Sequence, residues 1–454
     1  ILFIYKMSNQ YLEIVASNTT STGTLSFKNG QPVISFIVGE QDRFLLGNSV
    51  RLTGNFAVLS DDGALGSANA RLFMDGRTSV YSTIDQLVIK SQKTNQTIEH
   101  IRNYNRFMAS YLSTTSDKGD AMSHLNNSAC TIPSPNMIKY GNGGLAGAGG
   151  GIVDNEVNLG DAPNSFCLDL PCGLFSGTGP IPLSGDWGVG GLLVEVHLAP
   201  DSNVFFDEQS AAANIANAFY EFKNVVLTCE VQRPTPEQNS ALSKRGSSGG
   251  TFEYNSISSY YTTINSTNAI INFSLGLSRV LGVFCNFIGA NQINNRAFNG
   301  MTTWYPINST NNIAKINQIV FTRGGERMPL EYNIDTVQRS DAANLFPDEQ
   351  ITRNYINAIQ SFFKNTRNSI TPQNMRMTDG TAQAVRNQYV NGGCAFGIGV
   401  AFDTISNQGI DFRTTNFGIN MELDLTTDNP NAVYMFVHSK QTLVFNQSGV
   451  QVIT

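Results

Sequence analysis

The stretch Gly191-Leu-Leu-Val-Glu-Val-His-Leu-Ala-Pro-Asp201 lines up without a gap on Gly418-Ile-Asn-Met-Glu-Leu-Asp-Leu-Thr-Thr-Asp428, an offset of 227 in a chain of 454 residues. Aliphatic side chains alternate in both copies: Leu192, Val194, Val196 and Leu198 in one, Ile419, Met421, Leu423 and Leu425 in the other. A period of two belongs to a β-strand that buries one face, which leaves Glu195 and Glu422 on the opposite face. A second echo follows in the same order at an offset of 214, Asn217-Ala-Phe-Tyr-Glu-Phe222 against Asn431-Ala-Val-Tyr-Met-Phe436. A duplicated β-domain accounts for both, and 454 residues exceed the size at which one core usually stops growing.

Charged residues make up only 14% of the chain, well below the roughly 25% of ordinary domains. Asn is more frequent than Asp and Glu together, and Gly is abundant. Such a surface is polar but mostly neutral, with turn formers between β-branched and aromatic runs, as suits an all-β protein rich in loops. The net charge is -6 and no Lys/Arg run exceeds two residues, so the electrostatic footprint of a nucleic-acid binder is missing and no direct nucleic-acid binding is expected.

Six cysteines (130, 167, 172, 229, 285 and 394) are too scattered for a disulfide scaffold, and free buried thiols in a reducing compartment are expected. No apolar run approaches the roughly 20 residues that span a bilayer, and Ile1 to Tyr5 is too short for a signal-peptide core. Seven N-x-S/T sequons follow from so much Asn, Ser and Thr and carry little weight.

Strands are expected at 33–38, 50–59, 87–89, 270–277, 280–288, 316–322 and 395–402, with turn clusters such as Asp61-Asp-Gly63 between the early ones. Thr97 to Leu112 shows a helical stripe of Ile98, Ile101, Tyr104, Met108 and Leu112, and a second helix opens at Pro347 with Ile351, Tyr355, Ala358, Ile359 and Phe362 on one side. The apolar closing run from Val433 to Ile453 reads as a deeply buried terminal strand. Domain boundaries are expected at 1–232 and 251–454, with a Pro- and Ser/Gly-marked linker or hinge loop at 233–250. Extra residues around Asp207 to Ile215 should form an excursion that the second domain lacks, and Gly141 to Gly151 marks a long functional or mobile loop.

No motif carries chemistry. Gly246-Ser-Ser-Gly-Gly250 fits G-x-S-x-G on paper, but that motif needs a buried strand before it and a helix after it. Gly141-Asn-Gly-Gly-Leu-Ala146 fits G-x-G-x-x-A without a following helix. Asp61/Asp62 sit in a turn, and Asp348/Glu349 at a helix start where the dipole favours them. His100, His124, His197 and His438 are isolated, and Cys167 and Cys172 have no histidine nearby, so no catalytic residue, metal site or cofactor is expected. Trp187 stands on a loop either as a sugar-stacking platform or as an aromatic docked on the sandwich edge.

Four blocks carry a resemblance: Leu170-Pro-Cys-Gly-Leu-Phe-Ser-Gly-Thr-Gly-Pro-Ile-Pro-Leu183, Gly190-Gly-Leu-Leu-Val-Glu-Val-His-Leu198, Ile98-Glu-His-Ile-Arg-Asn-Tyr-Asn-Arg106 and Val433-Tyr-Met-Phe-Val-His-Ser-Lys-Gln-Thr-Leu-Val-Phe445. With these the chain resembles double jelly-roll major capsid proteins of the polinton-like virus and virophage type, in the lineage that includes adenoviruses, tectiviruses and large DNA viruses. The resemblance implies two tandem eight-stranded antiparallel jelly-roll sandwiches with a few short helices in loops. It further implies trimeric, pseudo-hexagonal capsomers tiling an icosahedral shell, with no catalytic role, assembled inside the host cell and located in the virion capsid. Neighbouring capsomers, minor capsid and penton proteins, and an internal membrane are the partners it suggests. Two other readings stand beside it. One is a receptor- or glycan-binding β-sandwich of a viral fibre or secreted adhesin that uses Trp187, Tyr260 and Tyr261; the other is a jelly-roll enzyme acting on polysaccharide through paired carboxylates.

Overall fold

A computed structural model describes residues 9–18, 23–28, 30–60, 72–74, 78–115, 138–140, 164–177, 179–207, 216–246, 249–264, 266, 268–289, 293–296, 301, 315–328, 338–341, 344–347, 353–359, 397–402, 408–424, 431–446 and 449–454. The first half contains β1 (Asn9–Val15), β2 (Thr24–Leu25), β3 (Val33–Val38), β4 (Phe44–Ser60), β5 (Leu72–Met74), β6 (Ile84–Ser91), β7 (Thr97–Arg102), helix α1 (Tyr104–Thr115), β8 (Ile138–Tyr140), β9 (Asn164–Asp169), β10 (Ile181–Pro182), β11 (Leu192–Leu198), the single turn α2 (Asp201–Val204), β12 (Phe205–Asp207) and β13 (Ala218–Gln232). Helix α3 (Pro236–Gly246) leads into β14 (Gly250–Ile264), β15 (Asn268–Phe273), β16 (Val280–Gly289), β17 (Lys315–Arg323), β18 (Glu326–Arg327), β19 (Gln338–Asp341) and β20 (Asn344–Pro347). Helix α4 (353–359), β21 (Gly397–Ala401), β22 (Phe417–Asp424), β23 (Asn431–Asn446) and β24 (Gly449–Ile453) complete the described chain.

One sheet of the first half runs β1-β13-β4, with β9 and β10 on the far side of β4 and β2 on β13; the other runs β3-β11-β6-β7. In the second half the sheets run β14-β23-β16-β21, with β24 on β23, and β15-β22-β17-β18. Strand for strand the orders coincide. First, last, third and sixth of the eight corresponding strands form one sheet, and second, seventh, fourth and fifth form the other, all antiparallel.

The repeat in the sequence falls on this equivalence. Leu192 to Leu198 is β11 and Ile419 lies in β22, the second strand of each four-stranded sheet; Val194 pairs with Phe36 and Ile89, and Met421 with Ala269 and Ile319. All four alternating residues of β11 are buried, as are Ile419 and Met421, while Glu195 and Glu422 point outward. Leu425 and residues 208–215, the expected excursion, lie outside the described residues. The second echo also falls on equivalent strands, β13 and β23, but on opposite faces. Tyr220 and Phe222 enter the first sandwich's interior against Phe56, whereas Tyr434 and Phe436 point out of the second, whose interior takes Val433, Met435 and Val437. A one-residue slip in register swaps every side chain to the other face, so matching letters on equivalent strands need not occupy matching positions.

Four expectations need correction. Thr97–Arg102 is strand β7, and the helix starts only at Tyr104, after Asn103 takes a left-handed φ of 54°. Ile98 and Ile101 fit a helical stripe, but a strand buried on both sides presents the same letters. Pro347 is the last residue of β20 and not itself helical; residues 348–352, across which the helix was expected to open, lie outside the described residues, as does Phe362, and the described helix is 353–359, with Tyr355, Ala358 and Ile359 buried. The terminal strand is not deep. Central β23 is the buried one, while β24 is a half-exposed strand beside its end. The 233–250 stretch contains helix α3, so it is no simple loop.

Candidate functional site

Among the described residues, the most elaborate polar arrangement is structural and lies where the two halves meet. Its first component is Glu99 in the middle of β7, 3% exposed between the buried Ile98 and Ile101. Its Oε1 accepts the amide of Gly173 at 3.0 Å and that of Ile257 at 2.9 Å, and its Oε2 accepts the amide of Leu174 at 2.9 Å. One carboxylate thus ties three segments together: the edge strand β7, the turn after Leu170, and β14 of the second half. Burial pushes its carboxyl above the ordinary range, against the pull of these amide donors.

The backbones approach closely here. A Cβ on Gly173 would stand 1.6 Å from the carbonyl oxygen of Asn255, so only glycine permits this crossing. Tyr254 of β14 reaches back and donates to the carbonyl of Ile98 at 2.7 Å, and Tyr104 donates to that of Pro171 at 3.0 Å.

Helix α1 forms the apolar part of the seam. Phe107 is fully buried, with ring centroids 5.6 Å from Phe436 and 6.3 Å from Phe284, and the Arg106 guanidinium lies 4.5 Å from the centre of the Tyr434 ring. Asn286 donates to the carbonyl of Arg106 at 3.5 Å and accepts the Tyr355 hydroxyl at 2.8 Å, which joins α1, β16 and α4. These residues occupy the outer face of the β14-β23-β16-β21 sheet. They belong to the same continuous apolar cluster as the first sandwich's interior, whereas the second sandwich has its own.

The chemical candidates do not converge. His100 bonds Gln86 at 2.8 Å, with burial lowering its basicity, and His197 lies 3.7 Å from Glu195, which Lys90 pairs at 2.9 Å; the first and last of these contacts cross between neighbouring strands, and the His197–Glu195 contact runs along β11, all on a sheet face. His438 is buried far along β23. Cys172, Cys229 and Cys285 are buried free thiols and Cys167 a half-buried one. No group of three His, Cys, Asp or Glu among the described residues is arranged to hold a metal, and no described helix is long and apolar enough to cross a membrane. Gly246 ends helix α3 and Gly250 begins strand β14, the reverse of the order a nucleophile turn requires. His124, Asp61, Asp62, Asp348, Glu349, Cys130, Cys394 and the Gly141 to Gly151 loop lie outside the described residues.

Trp187 is 3% exposed, tilted on Phe44 with centroids 5.0 Å apart, and it donates to Asn239 of α3 at 3.2 Å. It therefore offers no stacking face to a sugar and instead fastens the connecting helix to the first sandwich. Tyr260 donates to the carbonyl of Leu275, and the half-exposed Tyr261 packs beside Tyr434.

No protein-family model and no curated protein sequence matches the chain. Solved structures do. PBCV-1 VP54, fitted into a cryo-EM reconstruction of the virophage Sputnik, superposes with a TM-score of 0.57 at 10% identity, covering 100% of this chain and 98% of that one. The chain in the quasi-atomic PBCV-1 virus capsid gives 0.57 at 9% identity with the same coverage, and the faustovirus major capsid protein gives 0.52 at 10% identity over 98% of this chain and 93% of that one. The fold is a double jelly-roll. In this double jelly-roll the two sandwiches are fused through a buried seam.

Glu99 and Gly173 were not singled out as functional from the sequence. A signal was nevertheless present, since Glu99, Cys172-Gly173-Leu174 and Tyr434 to Phe436 all fall within the blocks that carried the family resemblance.

Proposed function

We propose that this chain is a major capsid protein whose trimers form pseudo-hexagonal capsomers that tile an icosahedral virus shell. The observation that carries the reading is the pair of equivalent sandwiches locked side by side by Glu99, Gly173 and Phe107, matched end to end by chains described as virus capsid proteins. A rigid pair of like units is what a tile needs. Three pairs around a threefold axis give six nearly equivalent units, and a head-to-tail contact that closes makes a finite ring. We take 1–232 and 251–454 as the two jelly-rolls and 233–250 as their connection. The protein acts by geometry and not by catalysis, and its place is the virion capsid. Its partners in this reading are copies of itself, neighbouring capsomers, and minor capsid and penton proteins, over an internal membrane where the virus has one. Negative-stain electron microscopy of the purified protein should show flat six-lobed particles; single two-lobed particles at every concentration would contradict the reading.

A further inference from the structure

The two sandwiches protect one sheet edge unequally. In the first, edge strand β3 is sealed by the chain that follows β1. Ser17 donates its amide at 2.7 Å and its hydroxyl at 3.0 Å to the carbonyl of Ser35, and Asn18 donates to the carbonyl of Val33 while its Oδ1 accepts the Ser35 amide at 3.1 Å. The backbone groups of Val33, Ser35 and Ile37 therefore point away from β11, since those of alternate residues point the same way. In the second sandwich the equivalent edge strand is β15, and the repeat sets its register: Ile37 lies opposite Leu193, and Ile270 lies opposite Asn420, the counterpart of Leu193. Asn268, Ile270 and Asn272 thus turn their amides and carbonyls to the free edge. The Ser266 hydroxyl donates to the Asn268 carbonyl at 2.9 Å, but among the described residues no hydrogen bond reaches the outer edge of Ile270 or Asn272.

An open edge is a template for another strand, and folded proteins usually blunt it with charge or proline. Between Glu253 and Arg279 the chain carries neither. Ile270 is instead 71% exposed, against 41% for Ile37 at the equivalent position of the sealed edge. We infer that β15 pairs antiparallel with β15 of a second copy of the chain, about a twofold axis at Ile270. The outward side chains Asn268, Ile270 and Asn272 read the same in both directions. Around that axis Ile270 meets its own counterpart, Asn268 meets the partner's Asn272, and on the buried side Ala269 meets the partner's Ile271. Apolar groups thus oppose apolar groups, amides oppose amides, and no like charges face each other, which is what a cross-strand pair requires. The pairing satisfies the free backbone groups and joins two four-stranded sheets into one. A twofold contact cannot close a threefold ring. In a trimeric tile it therefore joins one tile to another through β15, and the sealed β3 edge takes no part.

Two measurements test this. Ile270→Cys should form a disulfide-linked dimer under dissolved oxygen with a copper–phenanthroline catalyst, since directly opposed residues of a hydrogen-bonded antiparallel pair stand about 5.5 Å apart at Cα, within disulfide reach. Ile37→Cys, at the sealed edge, should give at least tenfold less dimer; a yield from Ile270→Cys no greater than that from Ile37→Cys overturns the inference. Light scattering of the wild-type protein should show a mass that rises with concentration above that of the smallest species. Ile270→Lys should lower that association constant at least tenfold, with the far-UV spectrum, the unfolding midpoint and the mass of the smallest species unchanged. A wild-type mass that does not rise, or a folded Lys variant that associates as strongly, overturns the strand contact and leaves the tile reading standing. A smallest species of 49.4 kDa whose association Ile270→Lys abolishes overturns the tile reading and leaves the strand contact standing.

Discussion

The carboxylate of Glu99 accepts the backbone amide of Ile257 at 2.9 Å, across 158 residues of chain, so a strand of the second sandwich is anchored to a side chain of the first. The same oxygen also holds Gly173, and the joint is therefore a three-way tie rather than a surface ion pair. Its removal should be felt by both sandwiches.

Glu99→Ala leaves three buried amides without an acceptor and should lower unfolding stability by about 3 kcal/mol or more. Glu99→Gln keeps an oxygen for Gly173 and Ile257 but turns a donor toward Leu174, at a cost of ~1–2 kcal/mol. Urea unfolding of the three proteins should rank them wild type, Gln, Ala; an Ala variant within 0.5 kcal/mol of wild type, about the scatter of an ordinary surface change, would refute the tie.

Gly173→Ala drives a methyl into the Asn255 carbonyl, and no side-chain motion relieves a clash between two backbones. We expect a loss of about 3 kcal/mol or failure to accumulate as folded protein, whereas Gly23→Ala, at a glycine with open space around it, should cost at most ~1 kcal/mol for its left-handed φ. Equal stabilities of the two variants would show that the crossing is looser than described.

Phe107→Ala empties the centre of the seam and should cost ~3–5 kcal/mol. Because the seam joins the first interior to the second sheet, wild-type protein should unfold in one calorimetric transition and the variant in two. Two transitions in the wild type would mean that the sandwiches are coupled only weakly.

The pairs around Glu253 set a smaller, pH-dependent contribution. Hydrogen bonds from Lys440 at 2.8 Å and Arg279 at 3.1 Å lower the pKa of this carboxyl. A lowered folded value adds stability that is complete above the ordinary glutamate pKa of about 4.3 and is lost as the pH falls through the lowered one. Glu253 is half exposed, so the stability difference from Glu253→Gln should be only ~0.5 kcal/mol at pH 7 and vanish by strongly acid pH. A difference that grew on acidification would reverse the assignment.

Much of the fold was legible because strand burial has a short period. Val33 to Val38 is a strand over that span, and the alternation at Leu192 and Ile419 falls on equivalent strands of the two sandwiches. Where two faces are buried at once, the period disappears. The β7 strand then imitated a helical stripe, and Tyr434 matched Tyr220 by letter while facing the other way. The seam itself was not legible, because Glu99 finds partners 74 to 158 residues away, and no local pattern records a contact between distant backbones. Trp187 was ambiguous for the same reason, since its partner Asn239 sits on a helix where a loop was expected.

The central claim is that this double jelly-roll works as a trimeric tile, and its most direct test is the native mass by light scattering behind a sizing column. A species near three times 49.4 kDa, about 148 kDa, is the predicted result. A species that stays at 49.4 kDa at high protein concentration would contradict it.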